Sequence, residues 1–323
     1  MLQKEKEISL QAVGAAMAMA AAIQMEMTSR DTLTKTDRSP VTIADFAVQA
    51  LICQILSCHF PGIPIVGEED SLALRKPENR ELFAKIIHYL RKNDAPMKEK
   101  EICDCIDLGG AEPNGTIWTL DPIDGTKGFL RGEQFAIALA LIQNGQVRLG
   151  ILGCPNLPPA SGGTLFWAIP GQGSWKIPSR GGSAEPIRTS VKTDPRQMKF
   201  VESYESSHSD KDTQLEISRL LRIANPPEQM DSQVKYGIVA AGDADIYLRI
   251  PNPATPDYRE KIWDHAAGSL IVEEAGGWVS DIDGKKLDFS LGKTLRNNRG
   301  ILASNGRVHS RVLEIIAELD GAK

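Results

Sequence analysis

The run LDPIDGT at residues 120–126 constrains this 323-residue chain more than any other feature. The residues before Asp121 are mostly apolar and β-prone, so the pattern predicts a strand that ends in a tight turn. Pro122 fixes one backbone φ angle and Gly125 permits an unusual one, as turns require. Two carboxylates and the carbonyl oxygen of Ile123 then share a small volume, where like charges repel unless protons or cations neutralise them.

An all-oxygen cluster of this kind favours a hard cation such as Mg²⁺. The alternative interpretation is a Pro-Asp-Gly turn in which Asp121 and Asp124 are solvated. Glu68 belongs to an acidic segment after a short predicted strand at 63–66, and acidic turns are mostly solvated as well. Glu68 can be a metal ligand only if the fold brings it close to Asp121.

Two other acidic residues also have a structural and a functional interpretation. Asp264 opens a predicted helix, where an aspartate caps free N–H groups and complements the helix dipole. Asp45 stands three residues after Thr42, in a capping-box arrangement that helix stability alone explains. Only a nearby metal site makes Asp45 a base that activates water.

Composition excludes several classes of protein. The formal net charge of −5 argues against a general nucleic-acid coat, which needs a broad basic surface. The five cysteines are odd in number and sparse, which favours a reducing compartment over a disulfide framework. The Ala/Met-rich run at 12–23 is preceded by Glu5 and Glu7 rather than by a basic flank, so a buried first helix is preferred over a signal peptide. We expect a cytoplasmic protein with no membrane span.

The chain reads as two halves of helices and strands. In the first half we predict helices at 4–29, from Thr42 to about residue 59 and at 78–92, with an irregular stretch at 93–116. The dipeptide Asn144-Gly145 between apolar runs predicts a β-hairpin, and another strand is expected at 164–169. A Gly/Ser/Pro-rich stretch at 170–186 is interpreted as an interdomain connection or mobile loop. The second half alternates, with helices at 211–222, 232–241, 264–275 and 306–320 and strands at 198–203, 245–250 and 299–303, which suggests a layered α/β arrangement.

Three blocks together resemble the lithium-sensitive, Mg²⁺-dependent phosphomonoesterase superfamily, which includes inositol monophosphatases and fructose-1,6-bisphosphatases. The blocks are GEE at 67–69, DPIDGT at 121–126 and WDHAAG at 263–268. The continuation KGFLRG at 127–132 is similar to the 3′(2′),5′-bisphosphate nucleotidase branch. The resemblance implies an α+β or α/β fold built as a layered αβαβα sandwich. We expect residues 1–170 to form an α+β domain with most metal ligands, and residues 171–323 an α/β domain with Asp264 and the nucleotide contacts.

The resemblance also implies a role for each site residue. Glu68, Asp121 and the Ile123 carbonyl are expected to hold one Mg²⁺, and Asp121, Asp124 and Asp264 a second, with two or three ions in all. Asp45 and Thr126 are expected to orient and activate the attacking water. The nucleotide contacts implied are Gly125, Thr126, His208, Ser232, Lys235, Arg249 and Asp264. Without the resemblance, His208, Lys235 and Arg249 read as ordinary loop or surface residues.

The implied reaction removes the 3′-phosphate of adenosine 3′,5′-bisphosphate to give AMP, and converts the 5′-phosphosulfate analogue in the same way, in sulfur metabolism. Arg249 is expected to take the 5′-phosphate through a forked contact. The partner is therefore a small nucleotide, with no nucleic acid or membrane, and the chain is expected to be a monomer. One alternative is an inositol polyphosphate 1-phosphatase acting on inositol 1,4-bisphosphate. The other is a catalytically silent nucleotide-sensing protein, which the complete set of acids speaks against.

Overall fold

The computed structural model describes residues 2–28, 31–35, 40–157, 162–179, 181–204, 209–255 and 257–321. The helices in these ranges are α1 (Gln3–Glu26), α2 (Ile43–His59), α3 (Arg80–Lys92), α4 (Glu99–Asp107), α5 (Thr126–Leu130), α6 (Lys211–Leu221), α7 (Val234–Ala240), α8 (Ala266–Glu274) and α9 (His309–Gly321).

The strands in the same ranges form three sheets. They are β1 (Thr32–Thr34), β2 (Pro40–Thr42), β3 (Ile65–Gly67), β4 (Thr116–Asp124), β5 (Ala136–Gln143), β6 (Gln146–Cys154), β7 (Thr164–Ala168), β8 (Ser174–Pro178), β9 (Glu185–Ile187), β10 (Phe200–Glu202), β11 (Glu228–Gln229), β12 (Ile246–Arg249), β13 (Trp278–Ser280) and β14 (Ile301–Ser304).

Two of the sheets organise the molecule. The large sheet has the order β3-β4-β5-β6-β7-β8-β9, with β3 parallel to β4 and antiparallel pairing from β4 onward. The small sheet has the order β11-β10-β12-β14-β13. A short antiparallel pair, β1 with β2, precedes α2.

Helices cover both faces of each of these sheets. Helices α1 and α2 pack on one face of the large sheet, α7 and α8 lie between the sheets, and α6 and α9 cover the outer face of the small one. This confirms the predicted αβαβα layers. The alternation of side chains along β5 explains the arrangement, because Leu139 and Leu141 face α1 and α2 while Ala138 and Ala140 face α8. Small residues on the inner face allow the helix layer to lie close to the sheet.

Helix α1 is long and apolar enough, by length and composition alone, to cross a membrane. In the fold, however, its residues Val13, Met17 and Ile23 are buried in the core, and the helix packs against α2, β5 and β6. The prediction of a buried first helix is therefore confirmed.

Two predictions for irregular segments were wrong. Residues 93–116 contain α4, whose two turns bury Ile102, Cys103 and Ile106; the glycines that suggested a loop come only after the helix. Residues 170–186 contain β8 and most of β9, which extend the large sheet to Ile187, so the glycines there mark hairpin turns rather than a linker. A division of the chain at residue 170 stays a prediction.

Candidate active site

The two aspartates that dominate the sequence lie at the carboxyl end of β4. We predicted that the strand stops before these aspartates. In the structure it continues to Asp124. Its pairing with β5 shifts between Asp121, opposite Ala138, and Asp124, opposite Ala136. The extra residue on β4 makes a β-bulge, which re-aims the side chains beside it. The turn itself follows at Gly125, whose φ of 86° is left-handed and suits glycine.

This turn is held against a segment from the other half of the chain. A Cβ atom on Gly125 would lie 2.9 Å from the Cβ of Ser232, so only glycine allows this approach. The backbone N–H of Gln233 donates to Asp124 Oδ2 at 2.6 Å. The fold thus brings Ser232, predicted as a nucleotide contact, to the acidic turn.

Glu68 reaches the same place because β3 lies parallel to β4. The carboxyl ends of parallel neighbours meet at one edge of a sheet. The segment is fixed to α2 by Gln49, whose amide donates to the Glu69 carbonyl at 2.6 Å and accepts from the Glu69 N–H at 3.1 Å. Lys35 Nζ lies 2.7 Å from Glu68 Oε1 and 2.5 Å from Glu69 Oε1. Although burial lowers the pKa of Lys35, these two carboxylates raise it above its usual value.

Asp264 precedes α8 but does not cap it. The N-cap position is His265, and no side chain accepts a capping hydrogen bond there. The structural interpretation of Asp264 as a helix cap is therefore not supported. Instead its carboxylate lines the cavity that contains Asp121 and Asp124.

Burial and mutual repulsion raise the pKa values of these carboxyl groups. Burial raises the pKa of Asp121 well above its usual range, and the charges of Glu68, Asp124 and Asp264 raise it further. Burial raises the pKa of Asp124 to about 6, and burial together with the charge of Asp124 raises that of Asp264. Asp121 is 2% exposed, and its Oδ1 atom has no hydrogen-bond partner. A buried acceptor without a partner, among like charges, fits a bound hard cation.

The lining of the same cavity also contains basic residues. We call Lys235 and Arg249 the basic wall, and Glu68, Asp121, Asp124 and Asp264 the acidic wall. Lys235 is buried, and burial lowers its pKa to about 8; its Nζ donates to the Met230 carbonyl at 3.2 Å. Arg249 Nε lies 2.8 Å from Glu260 Oε1, and the charge of Glu260 raises the arginine pKa despite burial. Both cations line the same cavity as the acidic residues, and their charges lower the pKa of Asp124 against the effect of burial.

A series of polar contacts, from Glu260 through His265 to Tyr236, holds Arg249 in place. Glu260 Oε2 lies 3.1 Å from His265 Nε2, and His265 Nδ1 lies 2.9 Å from the Tyr236 hydroxyl. Ligand atoms of Glu260, Asp264 and His265 come within 4.8 Å of one another, as in a metal site. Because Glu260 and His265 are engaged with Arg249 and Tyr236, we interpret this group as support for the arginine.

Asp45 and Thr126 lie near the acidic wall in different settings. Asp45 forms the capping box of α2, since its Oδ2 accepts from the Thr42 N–H and hydroxyl, both at 2.7 Å. Burial raises its pKa to about 7. The Thr126 hydroxyl lines the cavity and donates to the Ile123 carbonyl at 3.1 Å. Within the described ranges no hydrogen bond joins Asp45 to Thr126.

The cavity has a volume of about 470 Å³ and collects residues from both sheets. The predicted site residues that line it are Glu68, Asp121, Ile123, Asp124, Gly125, Thr126, Ser232, Lys235, Arg249 and Asp264. Asp45 lies outside the lining, and His208 falls outside the described residues. Sequence reasoning did not assign Lys35, Asp231 or Tyr258, which also line it. Asp231 was the easiest of these to predict from the sequence, because it directly precedes Ser232, which the resemblance already implied as a nucleotide contact.

Comparison with known proteins agrees with this geometry. Residues 4–320 match the model of the inositol monophosphatase family. The chain is 43% identical to the 3′(2′),5′-bisphosphate nucleotidase of Schizosaccharomyces pombe, over 90% of this chain and 88% of that protein. It is 40% identical to the protein of the same name from Oryza sativa, over 95% and 92%.

Solved structures show the same fold. The IMPase of Thermotoga maritima superposes with a TM-score of 0.71 at 21% identity, covering 99% of both chains. The inositol monophosphatase of Anabaena has a TM-score of 0.65 at 21% identity, covering 98% of this chain and 96% of its own. The family is generally metal-dependent, in agreement with the acidic wall of the cavity. The chain belongs to the inositol monophosphatase family.

Proposed function

We propose that this chain is a metal-dependent phosphomonoesterase that removes the 3′-phosphate of adenosine 3′,5′-bisphosphate, giving AMP. One observation carries the proposal: a single cavity is lined by an acidic wall and also by two cations, the buried Lys235 and Arg249, whose side chain is 15% exposed. Such a cavity suits a substrate with two separated anionic groups. The names of the curated relatives, at 40–43% identity over most of the chain, support the same substrate.

We assign the cations to the acidic wall. Glu68, Asp121 and the carbonyl of Ile123 are proposed to hold one Mg²⁺; Asp121, Asp124 and Asp264 are proposed to hold another. When bound, such ions lower the pKa of water, screen the phosphate charge and stabilise the departing oxygen. The unpartnered Oδ1 of Asp121 supports a ligand role, and hard cations prefer oxygen ligands. The number of ions, two or three, is part of the proposal.

The chain supplies a proton acceptor close to neutral pH. A general base works best when its pKa lies near the working pH, and burial raises that of Asp45 to about 7. The Thr126 hydroxyl donates its hydrogen bond to the Ile123 carbonyl, so its oxygen can accept a hydrogen bond from water. We propose that Thr126 orients the attacking water and that Asp45 receives its proton.

The remaining contacts bind the nucleotide. Arg249 offers a planar fork to the 5′-phosphate, and Lys235 adds a buried positive charge. The Ser232 hydroxyl accepts from the Val234 N–H at 3.2 Å, which leaves its hydrogen available for a ligand. Gly125 allows close approach of the backbone. We keep His208 and Asp264 as further proposed nucleotide contacts.

The decisive experiment measures phosphate release from adenosine 3′,5′-bisphosphate. We expect turnover with Mg²⁺, none in excess EDTA, and loss of turnover in Asp121→Asn at unchanged folding. Robust hydrolysis in excess EDTA would refute the proposal. Tight binding of the nucleotide by calorimetry without any turnover would instead favour the nucleotide-sensing alternative.

The competing substrate is inositol 1,4-bisphosphate. The two are separated by kcat/KM values measured side by side, and we expect the nucleotide to be preferred because its relatives carry the nucleotidase name. The 5′-phosphosulfate analogue presents the same 3′-phosphate and is expected to be hydrolysed too. We propose that the protein acts as a monomer in the cytoplasm, in sulfur metabolism, and has no nucleic-acid or membrane partner.

A further inference from the structure

Two buried polar residues, Tyr236 and His265, connect to Arg249 without lining the cavity. Tyr236 is 0% exposed and His265 is 1% exposed, and neither belongs to the cavity lining. The Tyr236 hydroxyl lies 2.9 Å from His265 Nδ1, and His265 Nε2 lies 3.1 Å from Glu260 Oε2. Because neither side chain can touch a substrate in the cavity, an effect of either on the reaction has to pass through Glu260 and Arg249.

The hydrogen bonds of these residues allow one arrangement of protons. A carboxylate only accepts, so His265 Nε2 carries a hydrogen and donates it to Glu260. Burial lowers the pKa of His265, so at about pH 7 the ring is neutral and Nδ1 is an acceptor. The Tyr236 hydroxyl therefore donates to Nδ1. Without this hydroxyl the ring can adopt its other tautomer, in which a lone pair of Nε2 faces the Glu260 carboxylate.

The position of the Tyr236 ring is fixed by its neighbours. A Cβ atom on Gly268 would lie 2.3 Å from Tyr236 Cδ2, so α8 packs directly on the ring. The ring also packs edge-on against Tyr247, with centroids 5.1 Å apart and an interplanar angle of 83°. The Gln233 side chain joins α7 to the segment before α8, because it donates to the Trp263 carbonyl at 2.8 Å and accepts from the Gly268 N–H at 3.2 Å. The hydroxyl is therefore held next to His265 before any substrate binds.

The other end of this series of contacts is the guanidinium of Arg249. Its Nε lies 2.8 Å from Glu260 Oε1, and its side chain reaches the cavity lining. A planar guanidinium makes a forked contact with an anion only when its plane is correctly oriented. A glutamate carboxylate rotates easily about its last side-chain bond, and the contact of His265 with Oε2 fixes that rotation. The orientation of Arg249 thus depends on a hydroxyl two residues removed from it along the series.

We infer that Tyr236 is a positioning residue that sets the preference for substrates with a second anionic group, acting through His265 and Glu260 on Arg249. The inference rests on the proposed function, because it requires Arg249 to bind the 5′-phosphate. A substrate without a 5′-phosphate gains nothing from an oriented guanidinium, so loss of the hydroxyl affects only the bisphosphate. A purely structural role of Tyr236 would lower the stability of the fold and leave this preference unchanged.

The test is Tyr236→Phe, which removes the hydroxyl and keeps the packed ring. We expect KM for adenosine 3′,5′-bisphosphate to rise by about threefold to tenfold, as for the loss of one buried hydrogen bond. The value of kcat should stay within about twofold, and KM for adenosine 3′-monophosphate should not change. The matched control is Tyr89→Phe. Tyr89 is also buried and donates its hydroxyl to Glu26 Oε2 at 2.8 Å, but it does not line the cavity, so the ratio of the two KM values should stay unchanged.

A double-mutant cycle tests the route through Glu260. In the Glu260→Gln background, Tyr236→Phe should change KM for the bisphosphate by less than about twofold, because the two substitutions break the same series of contacts. Effects that multiply would overturn the inference.

The other outcomes are equally decisive. The inference is wrong if Tyr236→Phe leaves KM for the bisphosphate unchanged, raises KM equally for both substrates, or alters their ratio no more than Tyr89→Phe does. If neither substrate is hydrolysed, the proposed function fails, and calorimetric binding of AMP decides the inference. Binding weakened about threefold to tenfold by Tyr236→Phe, but not by Tyr89→Phe, then supports it, and equal affinities overturn it. Should Tyr236→Phe not fold, His265→Leu is measured in its place, with the same expectation for the ratio of the two KM values.

Discussion

Asp124→Asn tests whether the acidic wall destabilises the protein when no cation is bound. Burial raises the pKa of the Asp124 carboxyl to about 6. Its Oδ2 accepts from the Gln233 N–H at 2.6 Å, a hydrogen bond that the carbonyl of an asparagine can keep. The substitution therefore removes the charge and leaves the local geometry. In the metal-free protein we expect the variant to be more stable than the wild type.

The magnitude follows from the pKa. A rise from 3.8 to about 6 corresponds to about 3 kcal/mol of unfolding free energy, since each pKa unit is worth about 1.4 kcal/mol. A carboxyl that binds its proton more tightly in the fold stabilises the fold at low pH, and this contribution is lost as the pH rises through about 6. The side chain is partly open to the cavity, so water reduces the cost of burying its charge, and we expect a gain of about 1–3 kcal/mol at about pH 8.

Urea unfolding in EDTA measures this difference. The gain of Asp124→Asn should shrink to about 1 kcal/mol or less at about pH 4.5, where the wild-type carboxyl is mostly protonated in the fold. Saturating Mg²⁺ should reverse the order, because a ligand that binds only the folded state stabilises it, and the variant has lost a proposed ligand. A variant that is no more stable than wild type in EDTA at about pH 8 would refute the argument that the buried charge of Asp124 destabilises the metal-free fold.

Asp245→Asn is the matched control. Asp245 is also fully buried, but its Oδ2 accepts from the Lys199 N–H at 2.8 Å and from Lys192 Nζ at 2.9 Å. Removing one partner of a fully buried charge pair costs about 3–5 kcal/mol, and the loss should be smaller here because the Lys192 side chain is 35% exposed. We therefore expect this variant to lose stability with or without EDTA, in contrast to Asp124→Asn.

Three further predictions concern packing, acid stability and substrate affinity. Gly268→Ala places a Cβ 2.3 Å from Cδ2 of the buried Tyr236 ring, so we expect a loss of about 1–3 kcal/mol by urea unfolding. Burial lowers the pKa of His309 to about 4. The stabilising contribution of the neutral imidazole is therefore present above about pH 6.5 and is lost as the pH falls. Between about pH 7 and 4.5, the unfolding free energy of the wild type should fall by about 2 kcal/mol more than that of His309→Gln. Glu260→Gln removes the charge that holds Arg249, so KM for adenosine 3′,5′-bisphosphate should rise by about tenfold, with a smaller change in kcat.

Each of these has its own control. Gly14→Ala places a Cβ with its nearest neighbour at 3.8 Å, so it should not reduce stability, and an equal loss there would contradict the packing argument. His59→Gln removes an exposed histidine and should leave the loss of stability in acid unchanged. If it reduces that loss as much as His309→Gln does, His309 has no special role in acid stability. For Glu260→Gln the control is adenosine 3′-monophosphate, whose KM should not change because it lacks the 5′-phosphate. An equal rise in KM for both substrates would contradict the assignment of Arg249.

Local sequence signals were sufficient for most elements. Thr42 and Asp45 predicted the start of α2, and the capping box between them is present. Asn144 and Gly145 predicted the β5–β6 hairpin, and both have positive φ angles. Such signals work because they act over a few residues. The short helix α4 was missed because two turns give too little periodicity to distinguish a helix from a loop.

The site was predictable only through the joint occurrence of distant blocks. Nothing local tells Asp264 from a helix cap, and it becomes a cavity residue because α8 packs against the sheet that carries Asp121. The pairing of Glu260 with Arg249 crosses from a loop to β12 and has no short-range signal. The same holds for Lys35 and Glu68. Ion pairs between residues far apart in sequence depend on the fold and could not be predicted before it.

The two walls of the cavity make cation binding and nucleotide binding interdependent. At an effective dielectric constant of about 20, two like charges about 6 Å apart repel by about 3 kcal/mol, so a phosphate beside an unneutralised Asp121 and Asp124 is strongly disfavoured. Cations on the acidic wall remove this repulsion, and by linkage the nucleotide must tighten cation binding by the same factor. Without metal ions, Lys235, Arg249 and the other basic residues of the lining still attract an anion. Loss of cations from the acidic wall should therefore raise KM as well as lower kcat, whereas changes at Lys235 and Arg249 should act mainly on KM.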